Sequence, residues 1–280
     1  MADFGSVVQM LEELKVKAPG LAAEVEGIQD ALGRLQVEID EQQPPAPMPE
    51  FEPPPPGSEI VGGTETKDFP DCCALGDDRG YYCSGTLIAP NVIVTAEHCA
   101  GLTQVYLRGG DVTQTEGAEV IRIVREFTHP EVDLRVLVLE HDAETTPRSV
   151  GRASQLDGLT EVTLVGFGTI DPDGRFGYGI KRRVEVPVKT FDCGLGSDPK
   201  RYGCLQGREI VAGHSGLMLD SCKGDSGGPL YIKSDGQYYL LGATSRGARG
   251  GFRECGDGGI YVRVDLCLDW IREVTGAQIA

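Results

Sequence analysis

Apolar residues follow two unlike patterns along the chain. Before residue 43 they recur at helical spacing. Val7, Leu11, Leu14, Ala18, Leu21, Val25, Ile28, Leu32, Leu35 and Ile39 alternate in steps of four and three. That is an a/d seam, and it predicts helix over residues 1–43. Pro19-Gly20 interrupts the seam, so two helices are expected, about 4–18 and 21–41. The seam suits self-association or a helical partner through residues 4–41; an amphipathic hairpin packed on its own domain is the alternative.

From residue 60 the helical period is lost. Short β-branched runs take over: Gly85 to Ile88, Val92 to Thr95, Val120 to Val124, Leu134 to Leu139 and Val162 to Val165. Others follow at Val184 to Val188, Tyr238 to Ala243 and Ile260 to Val264, with Gly, Asp and Pro turns between. This spacing predicts an antiparallel all-β barrel or sandwich. Leu266 to Val274 regains helical spacing, with Asp265 as the expected N-cap. No repeat of fixed period is found.

Between the two patterns, residues 44–59 hold eight prolines in sixteen. They form an extended spacer of polyproline type. The spacer ends abruptly at Ser58-Glu59, and Ile60-Val61-Gly62-Gly63 begins packed sequence.

Composition narrows the function classes. The chain has 280 residues, 40% hydrophobic, with 39 glycines and a net charge of −17. It can bury a core, and the glycine count suits turns. The charge argues against nucleic acid and against anionic membrane as partners. It is uneven: residues 1–59 carry 12 acidic against 3 basic side chains. No apolar run reaches the length of a membrane span. The start MADFGSVVQMLEELK lacks a basic n-region before an apolar block, which reads as cytoplasmic. The nine cysteines point instead to an oxidising compartment. The two signals conflict, so localisation stays open. No CxxC pair is present, so a zinc site is not favoured, and no metal or cofactor is expected.

Candidate chemistry sits in three strings. His98 follows an apolar strand in Thr95-Ala96-Glu97-His98-Cys99, and Asp133 leads one in DLRVLVL, residues 133–139. Ser226 lies among glycines in DSCKGDSGGP, residues 220–229. Acyl transfer needs a hydroxyl beside an imidazole, a carboxylate to orient the imidazole, and donors for an oxyanion. A lone histidine or a strand-leading aspartate is usually structural. GDSGGP has little structural appeal by itself. Of the four histidines His98, His129, His141 and His214, only His98 lies in such a string.

Together with IVGG at 60–63, GGIYVRV at 258–264 and Trp270-Ile271, these strings make residues 60–280 resemble the trypsin/chymotrypsin-like serine proteases. The order His, Asp, Ser is that family's. The resemblance implies two six-stranded antiparallel β-barrels and a C-terminal helix, with the site in the cleft between the barrels. It implies His98 as general base, Asp133 as its orienting carboxylate and Ser226 as nucleophile. The N–H groups of Gly224 and Ser226 would form the oxyanion hole. Asp220, with Ser221, Ser245, Gly247 and Gly259, would form a pocket for Arg or Lys at the cleaved position of peptide substrates. Cys83–Cys99, Cys193–Cys204 and Cys222–Cys255 would be disulfides; Cys72 or Cys73 with Cys267 is an open fourth pair.

The resemblance also implies a zymogen. Cutting between Glu59 and Ile60 would free an ammonium that pairs with Asp225. Glu59 is unusual before such a cut, because a pocket floored by Asp220 repels it. A separate activating protease of acidic specificity is therefore expected. The rival reading is a scaffold whose N-terminal helices bind a partner, with proteolysis secondary. Other departures are Glu97, beside the base, and Arg246, where the family has tryptophan on the cleft wall. Arg246 would favour acidic or small substrate residues upstream of the cut. The short His129 to Asp133 stretch should leave that side open. Glu116 and Glu119 match a calcium loop only in part, since Gly109 replaces its first acid.

Overall fold

The computed structural model describes residues 63–170, 176–194, 198–217, 219–250 and 255–279, together with Val25 and Ile28. Val25 and Ile28 are helical. The rest of the expected helices, the proline-rich spacer, and Glu59 and Ile60 lie outside the described residues.

Two closed six-stranded antiparallel barrels make up the body. The first contains β2 (Cys72–Asp77), β3 (Gly80–Ala89), β4 (Val92–Thr95), β5 (Gln104–Leu107), β6 (Glu119–Thr128) and β7 (Arg135–Leu139). Its order is β2-β3-β4-β7-β6-β5, and β5 returns to pair with β2. The second contains β8 (Glu161–Gly166), β9 (Arg182–Thr190), β10 (Glu209–Ala212), β11 (Pro229–Ser234), β12 (Gln237–Gly247) and β13 (Gly259–Arg263). Its order is β9-β10-β13-β12-β11-β8, closed by β8 on β9. The short β1 (Thr64–Glu65) pairs with β9. The described strands therefore begin against the second barrel, and the first barrel follows.

Strand alternation sorts the core into layers. Leu75, Leu87, Ile93, Val105, Leu107 and Leu137 fill the first barrel. Val162, Leu164, Val186, Ile210, Leu230 and Leu241 fill the second. Phe69, Tyr106, Phe167, Tyr231 and Leu240 pack between them. Adjacent Cys72 and Cys73 fall into different layers, the first between the barrels and the second inside the first barrel. Buried Asp71 ties the barrels together, accepting hydrogen bonds from Arg148 and from the Tyr231 hydroxyl.

The helices are short: α1 (Asp198–Tyr202) and α2 (Leu268–Thr275). Helix α2 buries Ile271 and ends on Gly276 at φ 71°, whose N–H reaches the Arg272 carbonyl. Only glycine takes that cap geometry without strain. Asp265 does not cap it. A 3₁₀ turn, Val264–Cys267, precedes the helix, and the Asp265 carboxylate instead takes Nε and Nη2 of Arg263 at 2.7 and 2.6 Å. A charged fork is a stronger donor than a helix-end amide.

The disulfides Cys83–Cys99, Cys193–Cys204 and Cys222–Cys255 are formed. Cys72, Cys73 and Cys267 are free and buried, so the fourth bridge does not form. The three bridges fit an oxidising or extracellular compartment. Among the described residues no helix is long and apolar enough to cross a membrane.

Candidate active site

Register brings the imidazole and its carboxylate together. β4 ends at Thr95, which pairs with Arg135 at the start of β7. His98 lies just beyond the end of one strand and Asp133 just before the start of the other, so both leave the barrel on one side. Asp133 Oδ2 lies 2.9 Å and Oδ1 3.1 Å from His98 Nδ1. Oδ1 also accepts the His98 backbone N–H at 3.1 Å. From the second barrel, Ser245 Oγ donates to Asp133 Oδ2 at 2.6 Å. Burial alone would raise the Asp133 carboxyl, but the bonds from His98 and Ser245 outweigh it and hold it below its usual range. The same hydrogen bond raises His98, partly offset by burial. Glu97 is exposed and adds only the weakest upward influence on His98.

The Ser226 loop is clamped onto the first barrel. Gly227 has φ 76°, and a Cβ there would lie 2.0 Å from Thr95 Oγ1 and 2.5 Å from the Ala96 nitrogen. Only glycine lets the loop approach the end of β4 so closely. Ser84, on β3, makes the clamp. Its N–H donates to the Ser226 carbonyl at 2.9 Å and its hydroxyl to the Gly224 carbonyl at 2.9 Å. Its own carbonyl accepts from Thr95 Oγ1 at 2.8 Å. Neither Gly224 N–H nor Ser226 N–H is taken by an acceptor among the described residues. Gly224 stands at φ 93° with the Tyr178 ring against it. His98 and Ser226 are not hydrogen-bonded to each other, which is common before substrate tightens a site.

Asp220 is buried beside Gly259 and Tyr261 of β13. It is 3% exposed and accepts from Ser221 N–H at 2.8 Å, Gly258 N–H at 3.0 Å and Tyr261 hydroxyl at 3.2 Å. Gly247 and Gly259 face each other across the strand pair. A Cβ on Gly259 would meet the Tyr261 hydroxyl at 2.7 Å and Asp220 at 3.1 Å. No basic side chain of the described residues pairs with Asp220, and burial pushes it up to about 6. Asp225 is likewise buried, with the Arg182 charge acting only weakly to lower it. Its oxygens accept from Gly168 N–H and Cys222 N–H, each at 2.8 Å, and burial pushes it to about 6.

Arg246 departs from expectation. Its Nη1 donates to Glu209 Oε1 at 2.8 Å and Ser245 Oγ at 3.0 Å. Its Nη2 donates to Glu209 Oε2 at 2.7 Å and the Gly203 carbonyl at 3.0 Å. Four of the five guanidinium N–H groups are thus engaged within the protein. Glu209 is fully buried and neutralises the charge, so Arg246 offers no free cation to an acidic substrate residue. The short segment before β7 borders an open cleft of about 450 Å³, lined by Glu97 and residues 128–133. In the partial calcium loop, Glu119 accepts from Glu144 N–H and Thr145 Oγ1 and pairs with Arg108 at 3.4 Å. Ser84, Glu209 and Tyr178 were not singled out by sequence, and no local string marks them.

These groups lie at the junction of two six-stranded antiparallel barrels. The trypsin family model matches residues 60–271, and the chain belongs to that family. It is 34% identical over 235 residues to brachyurin of Leptuca pugilator and 30% over 235 residues to a trypsin of Saccharopolyspora erythraea. Each match covers 78% of this chain and 99% of the relative. Transmembrane protease serine 9 of Rattus norvegicus is 31% identical over 247 residues, covering 78% of this chain but only 22% of that protein. The chain is therefore a serine protease acting on protein substrates.

Proposed function

We propose that the protein is an endopeptidase cutting after Arg or Lys, made as a precursor and switched on by cleavage between Glu59 and Ile60. Ser226 Oγ attacks the scissile carbonyl while His98 Nε2 takes its proton. Asp133 holds the Nδ1 proton and supports the imidazolium. The tetrahedral oxyanion is received by Gly224 N–H and Ser226 N–H. His98 then gives the proton to the leaving amine, and water repeats the sequence on the acyl-enzyme. Loss of one oxyanion donor typically costs about 3–4 kcal/mol of barrier.

The observation that carries the specificity is Asp220. A carboxylate 3% exposed, held only by neutral donors, is complementary to a long cationic side chain. Asp225 supports the switch by the same reasoning, because a freed α-ammonium would give its buried carboxylate a charged partner. The test uses chain cut at 59–60 and fluorogenic peptides bearing Arg, Lys, Phe, Leu or Glu at the cleaved position. Arg and Lys should be preferred by at least about 100-fold, the scale of one buried charge pair. Equal cleavage after Phe or Leu would remove the specificity; activity surviving in Ser226→Ala would remove the mechanism. Residues 1–43 and 44–59 are proposed as a helical pro-segment and its spacer ahead of a protease domain from 60 to 280.

A further inference from the structure

Ser245 sits where the register of β12 against β13 slips. Thr244 pairs with Tyr261 and Arg246 with Ile260, leaving Ser245 as the extra residue. A bulge re-aims a side chain, and here the hydroxyl turns to Asp133 Oδ2 at 2.6 Å. A hydroxyl has one proton and two lone pairs. With the proton committed to Asp133, a lone pair receives Arg246 Nη1 at 3.0 Å. Glu209 on β10 holds that guanidinium through both carboxylate oxygens, at 2.8 and 2.7 Å. A continuous line of hydrogen bonds runs Glu209, Arg246, Ser245, Asp133, His98.

We propose that Arg246 is a positioning residue, which sets the strength of the Asp133–His98 hydrogen bond by acting through Ser245. The proposal rests on the assignment of His98 and Asp133 given above. An N–H donated to the Ser245 oxygen polarises its O–H and makes it a stronger donor. A stronger donor draws charge from Asp133 and leaves less for the imidazole. Without Arg246 the carboxylate becomes the better acceptor, and His98 holds its proton more tightly. Among the described residues the other charged or titratable groups around this pair are Glu97 on the His98 loop, Arg135 at the start of β7, which donates to the Glu97 carbonyl and pairs with Glu126 at 2.7 Å, and His129 and Glu131 before β7. Glu131 is paired with Arg208 at 2.7 Å.

Four variants decide it: Arg246→Met with Glu209→Met, so that no buried carboxylate is orphaned; Arg246→Lys; Ser245→Ala; and Ser245→Ala with the Met pair. His98 is titrated by NMR in the uncut full chain, where no turnover is needed. The cut enzyme gives the acid limb of the kcat/KM profile. The Met pair should raise both midpoints by roughly half a pH unit, the scale of one modest hydrogen bond. Arg246→Lys should keep the ion pair and the unfolding midpoint, yet show the same upward shift, because an ammonium lacks the planar fork. In the Ser245→Ala background the Met pair should add no further shift. An unmoved His98 midpoint in the Met pair, full recovery with lysine, or an undiminished shift without Ser245 would each overturn the proposal. Failure of Ser226→Ala to abolish turnover would instead overturn the mechanism, and the NMR midpoints would still decide the role of Arg246.

Discussion

Three aspartates show how one residue type acquires different tasks. Asp133 receives an imidazole N–H and a serine hydroxyl and is held low. Asp220 and Asp225 receive mainly backbone N–H groups and are pushed to about 6 by burial. The sign for Asp220 is clear. Above pH 6 it is ionised and suits a cationic ligand; as pH falls through 6 it takes a proton and the attraction is lost. Binding of a small amidinium inhibitor, followed by calorimetry, should weaken about tenfold per pH unit below 6, the slope of one proton taken up. In Asp220→Ser that dependence should vanish. The same substitution should lower kcat/KM for Arg and Lys substrates by roughly 100- to 1,000-fold, the scale of a broken buried pair. Weakening as steep in Asp220→Ser as in the wild type would show that another group titrates.

At the scale of elements, the site depends on how loops meet strand ends. The Ser226 loop touches β4 through Gly227, where an added Cβ would enter the space of Thr95 Oγ1. Gly227→Ala should lower kcat by about 100-fold, because a 1 Å displacement of reacting groups costs that much. It should also destabilise by roughly 1–3 kcal/mol through strain and crowding, seen in denaturant unfolding. Gly236 is the control. It has φ 77° with nothing within 4 Å of an added Cβ, in the two-residue Asp235-Gly236 turn joining β11 to β12. Gly236→Ala should cost about 1 kcal/mol of strain and leave kcat unchanged. Similar kcat losses in both variants would mean that the clamp does not position the nucleophile. The cut-back loop before β7 belongs to this scale as well, since five residues from His129 to Asp133 leave the cleft beside Asp133 open.

At the scale of the whole molecule, the proposed switch divides the chain at Glu59–Ile60. A pocket floored by Asp220, as proposed, would repel glutamate, so the purified uncut chain should not cleave itself there. Glu59→Arg should make the precursor self-activating within the time course in which wild type stays inert, read by N-terminal sequencing of the product. Rapid cleavage of wild-type chain at 59–60, with Ser226→Ala chain stable, would refute the requirement for a second protease. Asp225→Asn should leave the cut chain with little activity, because the new ammonium would lose its buried partner.

Local sequence was enough for the class of the protein. Period-two and β-branched runs exposed most strands, and His98, Asp133 and Ser226 stood in recognisable strings. Strands β1, β2, β5, β10 and β11 escaped: Thr64–Glu65 is two residues, Cys72–Asp77 is interrupted by glycine, Gln104–Leu107 and Glu209–Ala212 are only four residues long, and Pro229–Ser234 opens on a proline. The six bridging cysteines were legible by resemblance, whereas the state of Cys72, Cys73 and Cys267 was not. Alternation sends adjacent Cys72 and Cys73 to opposite faces of β2, and only barrel closure decides what each meets. Arg246 makes the same point most sharply. Its charge promised an acid-seeking wall, yet Glu209, 37 residues earlier, takes the guanidinium, which also donates to the Ser245 hydroxyl that bonds Asp133. A residue type states what bonds a side chain can make. Which bonds it does make follows from register between strands distant in sequence, and that is set by the closing of the barrels.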